Sequence, residues 1–381
     1  SLTADRGPAF VTNSQAILNS YSPWRPSASV TESGMRITEL ENSELTYEKK
    51  HEFNVGIDLG FLKNRLNLAA DYYRRNNFDL IGVINTQGAG GTIAKYANIA
   101  SMKSSGIELT ISSKNMRTKD FSWNTDFIFS KTKNEITDLK SHANVLSLIS
   151  GNGFGREGYP VRGLFSIPFA GLTEDGLPTF INQDGQKTIS SFNFQEYEKL
   201  DFLKYEGPTD PTITGSFGNI LTYKNLKLNV FVTYSFGNVI RLDPVFSNAY
   251  SDLDAMPKEF KNRWMKAGDE NVTNIPTIVS TRMNQQYAYL NMAYNAYNYS
   301  DVRIADGGFI RLKEISLSYD LPAKVINFFR LNKLQLKLQA TNLCLLYADS
   351  KLNGQDPEFF RSGGVSTPVP KQFTFTVRLG L

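Results

Sequence analysis

The residues able to do chemistry are few, and they are badly placed for it. The chain has two histidines, His51 and His142, and one cysteine, Cys344. The histidines fall in different parts of the sequence, so neither a nucleophile–base–orienter triad nor a zinc site assembles from them. One cysteine makes no disulfide framework and no thiolate cluster. Gly88-Ala-Gly-Gly91 and Gly151-Asn-Gly-Phe-Gly155 look like phosphate loops, but neither joins a strand to a helix in a βαβ unit, and both read as flexible connections. Asp175-Gly176 and Asp184-Gly185 have the chemistry of turns. Asn182 and Asp184 are oxygen donors of the kind calcium takes, yet the full loop spacing is missing. No catalytic, cofactor-binding or metal-binding residue is assigned, and the chain reads as a non-enzyme.

One segment has a chemistry of contact. In Tyr287–Tyr299, Tyr287, Tyr289, Tyr294, Tyr297 and Tyr299 are interleaved with Asn. Flat aromatic faces beside amide donors and acceptors suit a sugar or a peptide at low entropic cost. The same residues also serve to pack a long loop against itself or against a capping partner, and that is the expectation here. Arg263, Trp264 and Lys266 in the same loop are expected to anchor it.

The elements that must carry these loops show up as alternation. Phe373, Phe375, Val377, Leu379 and Leu381 fall on one face of the last strand, and Gln372, Thr374, Thr376, Arg378 and Gly380 on the other. The pattern recurs in Phe53–Leu59, Leu66–Tyr72, Ile107–Ile111, Phe121–Phe129, Leu226–Tyr234 and Leu334–Ala340. Several runs reach about 10 residues, the length a tilted strand needs to cross a bilayer, and charges sit within the polar faces. A wall between lipid and a watery lumen requires this arrangement. Composition agrees: mean hydropathy is −0.31 and aromatics make up 12%, enough for interfacial girdles. No apolar run approaches the length of a transmembrane helix. The net charge of +4 is scattered in sign, and no nucleic-acid footprint forms.

The alternation predicts nine strands, near 52–59, 65–75, 104–113, 120–131, 212–223, 226–236, 308–319, 333–342 and 371–381. Short connections alternate with long ones at about 78–102, 133–210, 238–307 and 343–370. In outer-membrane barrels the short turns are periplasmic and the long loops extracellular, which sets the orientation. Residues 1–50 are then extracellular loop, 51–381 barrel strands and loops, and Leu164–Leu172 a small hairpin in an extracellular loop. An odd strand count and an open sheet cannot close in lipid, so the chain is expected to be part of a larger barrel.

The strand Asp306–Tyr319 breaks the pattern. Ile315, Leu317 and Tyr319 share a face that continues into Lys313 and Arg311, whereas Ile310 and Leu312 are out of step with it. Either a β-bulge near Lys313-Glu314 restores the apolar face, or a regular strand carries Arg311 and Lys313 above the hydrocarbon to meet lipopolysaccharide phosphates. The second is the expected arrangement.

Several segments, in order, resemble the late barrel of SusC/RagA-type TonB-dependent transporters: Leu45–Leu59 with Arg65-Leu-Asn-Leu and Asp71-Tyr-Tyr, Ser104-Ser-Gly-Ile-Glu-Leu109, Gly158–Phe165, Asp306–Pro322, Thr341-Asn-Leu343 with Asp356-Pro-Glu358, and Pro370–Leu381. The family commonly ends on Phe, and here the last residue is Leu381. The resemblance implies an all-β, antiparallel 22-stranded transmembrane barrel in the bacterial outer membrane, of which this is the C-terminal share. It implies import of oligosaccharides or peptides without a cofactor. It implies four partners: the remaining N-terminal barrel and plug, a SusD-like surface lipoprotein, TonB acting through the part outside this chain, and membrane lipid with lipopolysaccharide. A siderophore or vitamin receptor of the wider TonB-dependent class is an alternative. A secreted soluble β-sandwich that binds carbohydrate is another, although its strands would be shorter and its turns closer together.

Overall fold

A computed structural model describes residues 2–5, 15–22, 33–86, 88, 93–150, 155–245, 258–287, 289–328, 331–360 and 368–380. Its frame is one ten-stranded antiparallel sheet. The strands are β1 (Leu2–Asp5), β2 (Glu48–Phe61), β3 (Leu66–Asn85), β4 (Ala94–Arg117), β5 (Phe121–Leu139), β6 (Ile213–Tyr223), β7 (Leu226–Phe236), β8 (Phe309–Asp320), β9 (Lys333–Ala348) and β10 (Gln372–Gly380). They lie side by side in chain order. The nine predicted strands are all present. The tenth, β1, pairs Leu2–Asp5 with Glu48–His51 inside a stretch expected to be loop. A hairpin of Ile17–Tyr21 and Gly34–Glu39 occupies the same stretch.

Register shows how alternation becomes a wall. Leu59, Leu68, Ile111, Phe127, Phe217, Val232 and Leu312 face one another in turn across β2 to β8. Nearer the short turns, Leu228, Leu317, Leu338 and Phe375 form another apolar row. Paired residues of an antiparallel ladder share a face, so these rows make a continuous apolar belt. The belt is uncovered: Phe373, Phe375, Ile57, Ile107 and Leu338 are each at least half exposed. A soluble sandwich would pack such a face against a second sheet, and none is present among the described residues. Phe121, Tyr223 and Tyr319 line one row at the short-turn end, where interfacial aromatics belong.

The opposite face is polar and bonded to itself. Ser112 donates to Asp126 at 2.7 Å, and Asn229 to Glu314 at 3.1 Å. Tyr73 lies over Gly106, where an added Cβ would come within 2.5 Å of its ring, and Arg75 stacks on that ring at 4.3 Å. The glycine is there because the ring needs its space.

The strands stay close to the predicted ends at the short turns and run far beyond them at the other end, as β3, β4 and β5 do. The long connections are themselves folded. Gly163–Ser166 pairs with Lys204–Pro208, and Phe169–Leu172 pairs with Pro178–Ile181. Leu164–Leu172 is therefore two strands in two small sheets rather than the single expected hairpin. Both halves are apolar because the surrounding loops bury them. No helix among the described residues is long and apolar enough to cross a membrane, and the crossing is made by strands.

The two faces should respond oppositely to charge. Leu338→Arg, near the middle of the belt, is expected to cost about 2–4 kcal/mol. Gln339→Arg, one residue on and facing the lumen side, should change stability by well under 1 kcal/mol. Urea titration of the barrel in lipid vesicles measures both, and equal losses would contradict this assignment of faces.

Candidate functional site

The tyrosine segment forms a helix at Leu290–Asn298 inside the loop core. Tyr294 and Tyr297 are each 1% exposed. They are unavailable to a ligand and pack the loop against itself. Tyr294 donates to the Thr277 carbonyl at 2.6 Å. Burial pushes the Tyr297 hydroxyl up to about 12. The ring of Tyr297 packs with Phe165, Phe180, Phe192 and Val245 in the largest apolar cluster of the loops. Tyr287 donates to the Asp175 carboxylate at 2.8 Å, a bond that holds its hydroxyl above the usual phenol range. Tyr299 lies under the Arg241 guanidinium at 5.4 Å. Tyr289, 72% exposed with φ of 65°, starts the helix and is the one of the five open to contact. Trp264 is fixed by its indole N–H on Glu270 at 3.1 Å, with its ring against Gly176.

Three buried arginines tie the loops together. Arg241 donates to the Phe165 carbonyl at 2.5 Å and to the Ser300 carbonyl at 3.3 Å. Arg303 pairs with Glu259 at 2.6 Å and donates to the Asp243 carbonyl at 2.6 Å. Arg311 makes two bonds to Asp356, at 2.5 and 2.6 Å, and reaches Glu358 at 3.1 Å. Arg311 is 4% exposed, so it does not stand at the lipid rim as expected. The reason is a bulge: the ladders to β7 and to β9 both skip Lys313. Leu312 thereby rejoins the apolar belt opposite Val232, and Arg311 falls opposite Thr233 on the polar face. Lys313 is the extra residue of that bulge, half-buried, and not part of a regular strand above the hydrocarbon.

Beside Arg241, at the top of the polar face, there is a cleft of about 740 Å³. Phe309 and Phe360 give it aromatic surface, while Arg162, Asp210, Asn238 and Glu358 give it polar groups. Arg162 clamps Asp210, with Nε on Oδ2 at 2.7 Å. Glu358 keeps 41% of its side chain exposed while touching Arg311. Asn238 is 8% exposed, and its Oδ1 accepts no hydrogen bond within the described structure. That oxygen is closed off, so the polar groups the cleft presents are those of Arg162, Asp210 and Glu358. The cleft can hold a cargo that offers N–H or O–H groups beside an apolar surface. Its parts come from five distant stretches of sequence, three of which, Gly158–Phe165, Asp306–Pro322 and Asp356-Pro-Glu358, carry the resemblance without being marked as a site. Asn238 follows the left-handed turn at Gly237, φ 81°, a feature without a residue signature of its own. Among the described residues no group of His, Cys, Asp and Glu could hold a metal ion. The glycine-rich stretches at 88–91 and 151–155 lie for the most part outside the described residues.

Removing one partner of a buried pair leaves a bare charge. Arg311→Ala is expected to destabilise the clamp by about 3–5 kcal/mol, and Asp356→Ala by less than an additive amount on top of it. Protease cleavage within 343–360, followed in the single and double variants, measures this. Full additivity would mean that the pair does not act as a unit.

No family model matches the chain. Among curated proteins, it is 26% identical over 360 residues to the TonB-dependent receptor SusC of Bacteroides thetaiotaomicron, covering 89% of this chain and 32% of that one. It is 26% identical over 348 residues to the TonB-dependent receptor P3 of Formosa agariphila, covering 85% and 32%. The chain thus spans about a third of the length of the curated relatives it matches. In fold it superposes on a structure of the RagAB peptide transporter with a TM-score of 0.75 at 23% identity, covering 99% of this chain and 39% of that one. Sequence likeness and fold agree that this chain corresponds, over most of its length, to part of the outer-membrane β-barrel of a SusC/RagA-type TonB-dependent receptor.

Proposed function

We propose that the chain supplies wall and extracellular loops to a TonB-dependent importer of oligosaccharides or peptides, and that it does no covalent chemistry itself. One observation carries this reading: a cleft lined by Phe309, Phe360, Arg162, Asp210 and Glu358 opens on the polar face of a wall whose other face is built for lipid. Cargo bound there sits at the extracellular mouth of the lumen. The relatives support the class of activity, since they are named as TonB-dependent receptors and one neighbour as a peptide transporter.

The reading extends to the rest of the assembly. The open sheet has β10 at one edge and, below the short β1, the span 52–61 of β2 at the other, and strand edges within hydrocarbon need partners. The proposed complete barrel supplies further strands on both sides, a plug in the lumen and the contact with TonB. A SusD-like lipoprotein rests on the loops, where the exposed Tyr289 is a contact for it or for cargo. The buried arginines hold that surface in one shape, so a lid docks on a prebuilt rim.

The complete receptor, purified natively with its partners, is expected to carry an oligosaccharide or peptide identifiable by mass spectrometry, together with a co-purifying lipoprotein. Glu358→Ala, which removes an exposed carboxylate from the cleft, should raise the KM for uptake about tenfold, the loss of one hydrogen bond. A bound siderophore, or uptake that persists without TonB, would overturn the proposal.

A further inference from the structure

The outward face carries a second feature, at the opposite end of the belt from the short turns. Directly above the apolar row Val55, Tyr72 and Ile107, the next row reads Phe53, Arg74, Ser105 and Lys133. Above that, Lys103 stands opposite Glu135. Lys131 completes the group: it faces Ile107 on one side and Ile213 on the other, at the top edge of the belt. Four cations therefore gather around one carboxylate on a face that is otherwise apolar.

Their charge is only partly spent. Lys103 bonds Glu135 at 2.8 Å, and Lys133 stands 3.8 Å from the same carboxylate. Lys133 keeps 78% of its side chain exposed. Arg74 and Lys131 are exposed and have no ion pair among the described residues. Between these side chains lies a recess of about 280 Å³, walled by Tyr72, Arg74, Lys103, Lys133 and the Glu135 they partly neutralise. At ~30 Å³ for a water molecule, it is roomy enough for a headgroup rather than a single ion. Below it, Phe53, Val55 and Ile107 are 61%, 56% and 50% exposed, an apolar shelf continuous with the recess.

An anionic head above acyl chains matches both parts at once. Cations facing lipid are costly at the midplane and nearly free at the interface, and long side chains reach upward from there. Their cost is thus small at this height, and their density demands a partner. Cargo is excluded by side, since the lumen lies on the other face of the same strands. The extracellular end is set by the long loops, so the partner is a lipid of the outer leaflet. We propose that Arg74, Lys103, Lys131 and Lys133 form a binding site for a phosphorylated glycolipid of the outer leaflet, its phosphates on the cations and its acyl chains on the shelf Phe53–Val55–Ile107. Arginine takes a phosphate bidentately and lysines as point charges, which suits a headgroup with more than one phosphate. This inference needs only the orientation of the wall and holds whether or not the transport reading does.

The test uses the complete receptor purified from native outer membranes, with retained lipid A-type glycolipid quantified by native mass spectrometry. The fourfold variant R74Q/K103Q/K131Q/K133Q should retain at least fivefold less than wild type. Lys63→Gln, in the short turn at the other end, should change nothing. Added lipid A should rebind the wild type, and its dephosphorylated form at least fivefold more weakly. Heat-dependent gel mobility reports whether the barrel has formed. If the fourfold variant does not assemble, R74Q/K131Q, which breaks no ion pair, is read in its place. Retention within twofold of wild type, equal binding of dephosphorylated lipid, or binding of inorganic phosphate alone would overturn the proposal.

Discussion

Everything in this chain depends on the fact that hydrocarbon offers no hydrogen-bond partner to a peptide group. A strand in lipid must give every N–H and C=O to its neighbours, which forces continuous antiparallel ladders of the kind that run from β2 to β10. Once the ladder is continuous, side chains have two destinations and alternate between them. The apolar rows through Leu59 and Leu228 and the polar pairs Ser112–Asp126 and Asn229–Glu314 follow from that one condition. Lateral packing within each face comes second, with Tyr73 seated over Gly106 and Tyr234 over Gly215.

Above the membrane the condition is lifted, and another organising interaction takes over. The loops are long and rich in polar backbone, so an apolar core alone would leave carbonyls unpaired where segments cross. Arg241 and Arg303 answer that by spanning between segments and donating to the carbonyls of Phe165, Ser300 and Asp243. Their planar, permanently charged heads lie against the rings of Tyr299 and Tyr297, where a lysine would have neither the fork nor the flat surface. The tyrosines of the loop are therefore the walls that these arginines rest on.

Legibility follows the same division. Alternation located nine strands because lipid enforces it residue by residue. Extracellular strand ends were underestimated because ladders such as Asn77–Asn85 with Ala94–Met102 are interrupted by bulges between Asn77 and Ile81, which break the alternation. β1 is four residues long and lacks a pattern. The cleft was not legible as a site: Arg162, Phe309 and Glu358 lie in segments that carry the resemblance, but only loop folding gathers them with Asn238. The cationic patch was not singled out, because the shared side of Arg74, Lys103, Lys131 and Lys133 appears only when the registers of three strands are laid together.

The bulge at Lys313 shows how the two regimes meet in one strand. Without it, Arg311 would point to lipid, and Ile310 and Leu312 would enter the lumen face. A rim position makes that arrangement tolerable for the cation, since the lipid-side cost falls to about 0–1 kcal/mol there. The cost to Asp356 decides the matter. This carboxylate sits at the start of the turn Pro357–Phe359, its side chain 8% exposed, and would be buried without a counter-charge if Arg311 turned outward. Several kcal/mol of uncompensated burial outweighs the local loss of ladder bonds at a bulge. The partner that selects the bulge therefore lies in a loop, many residues beyond the strand it bends.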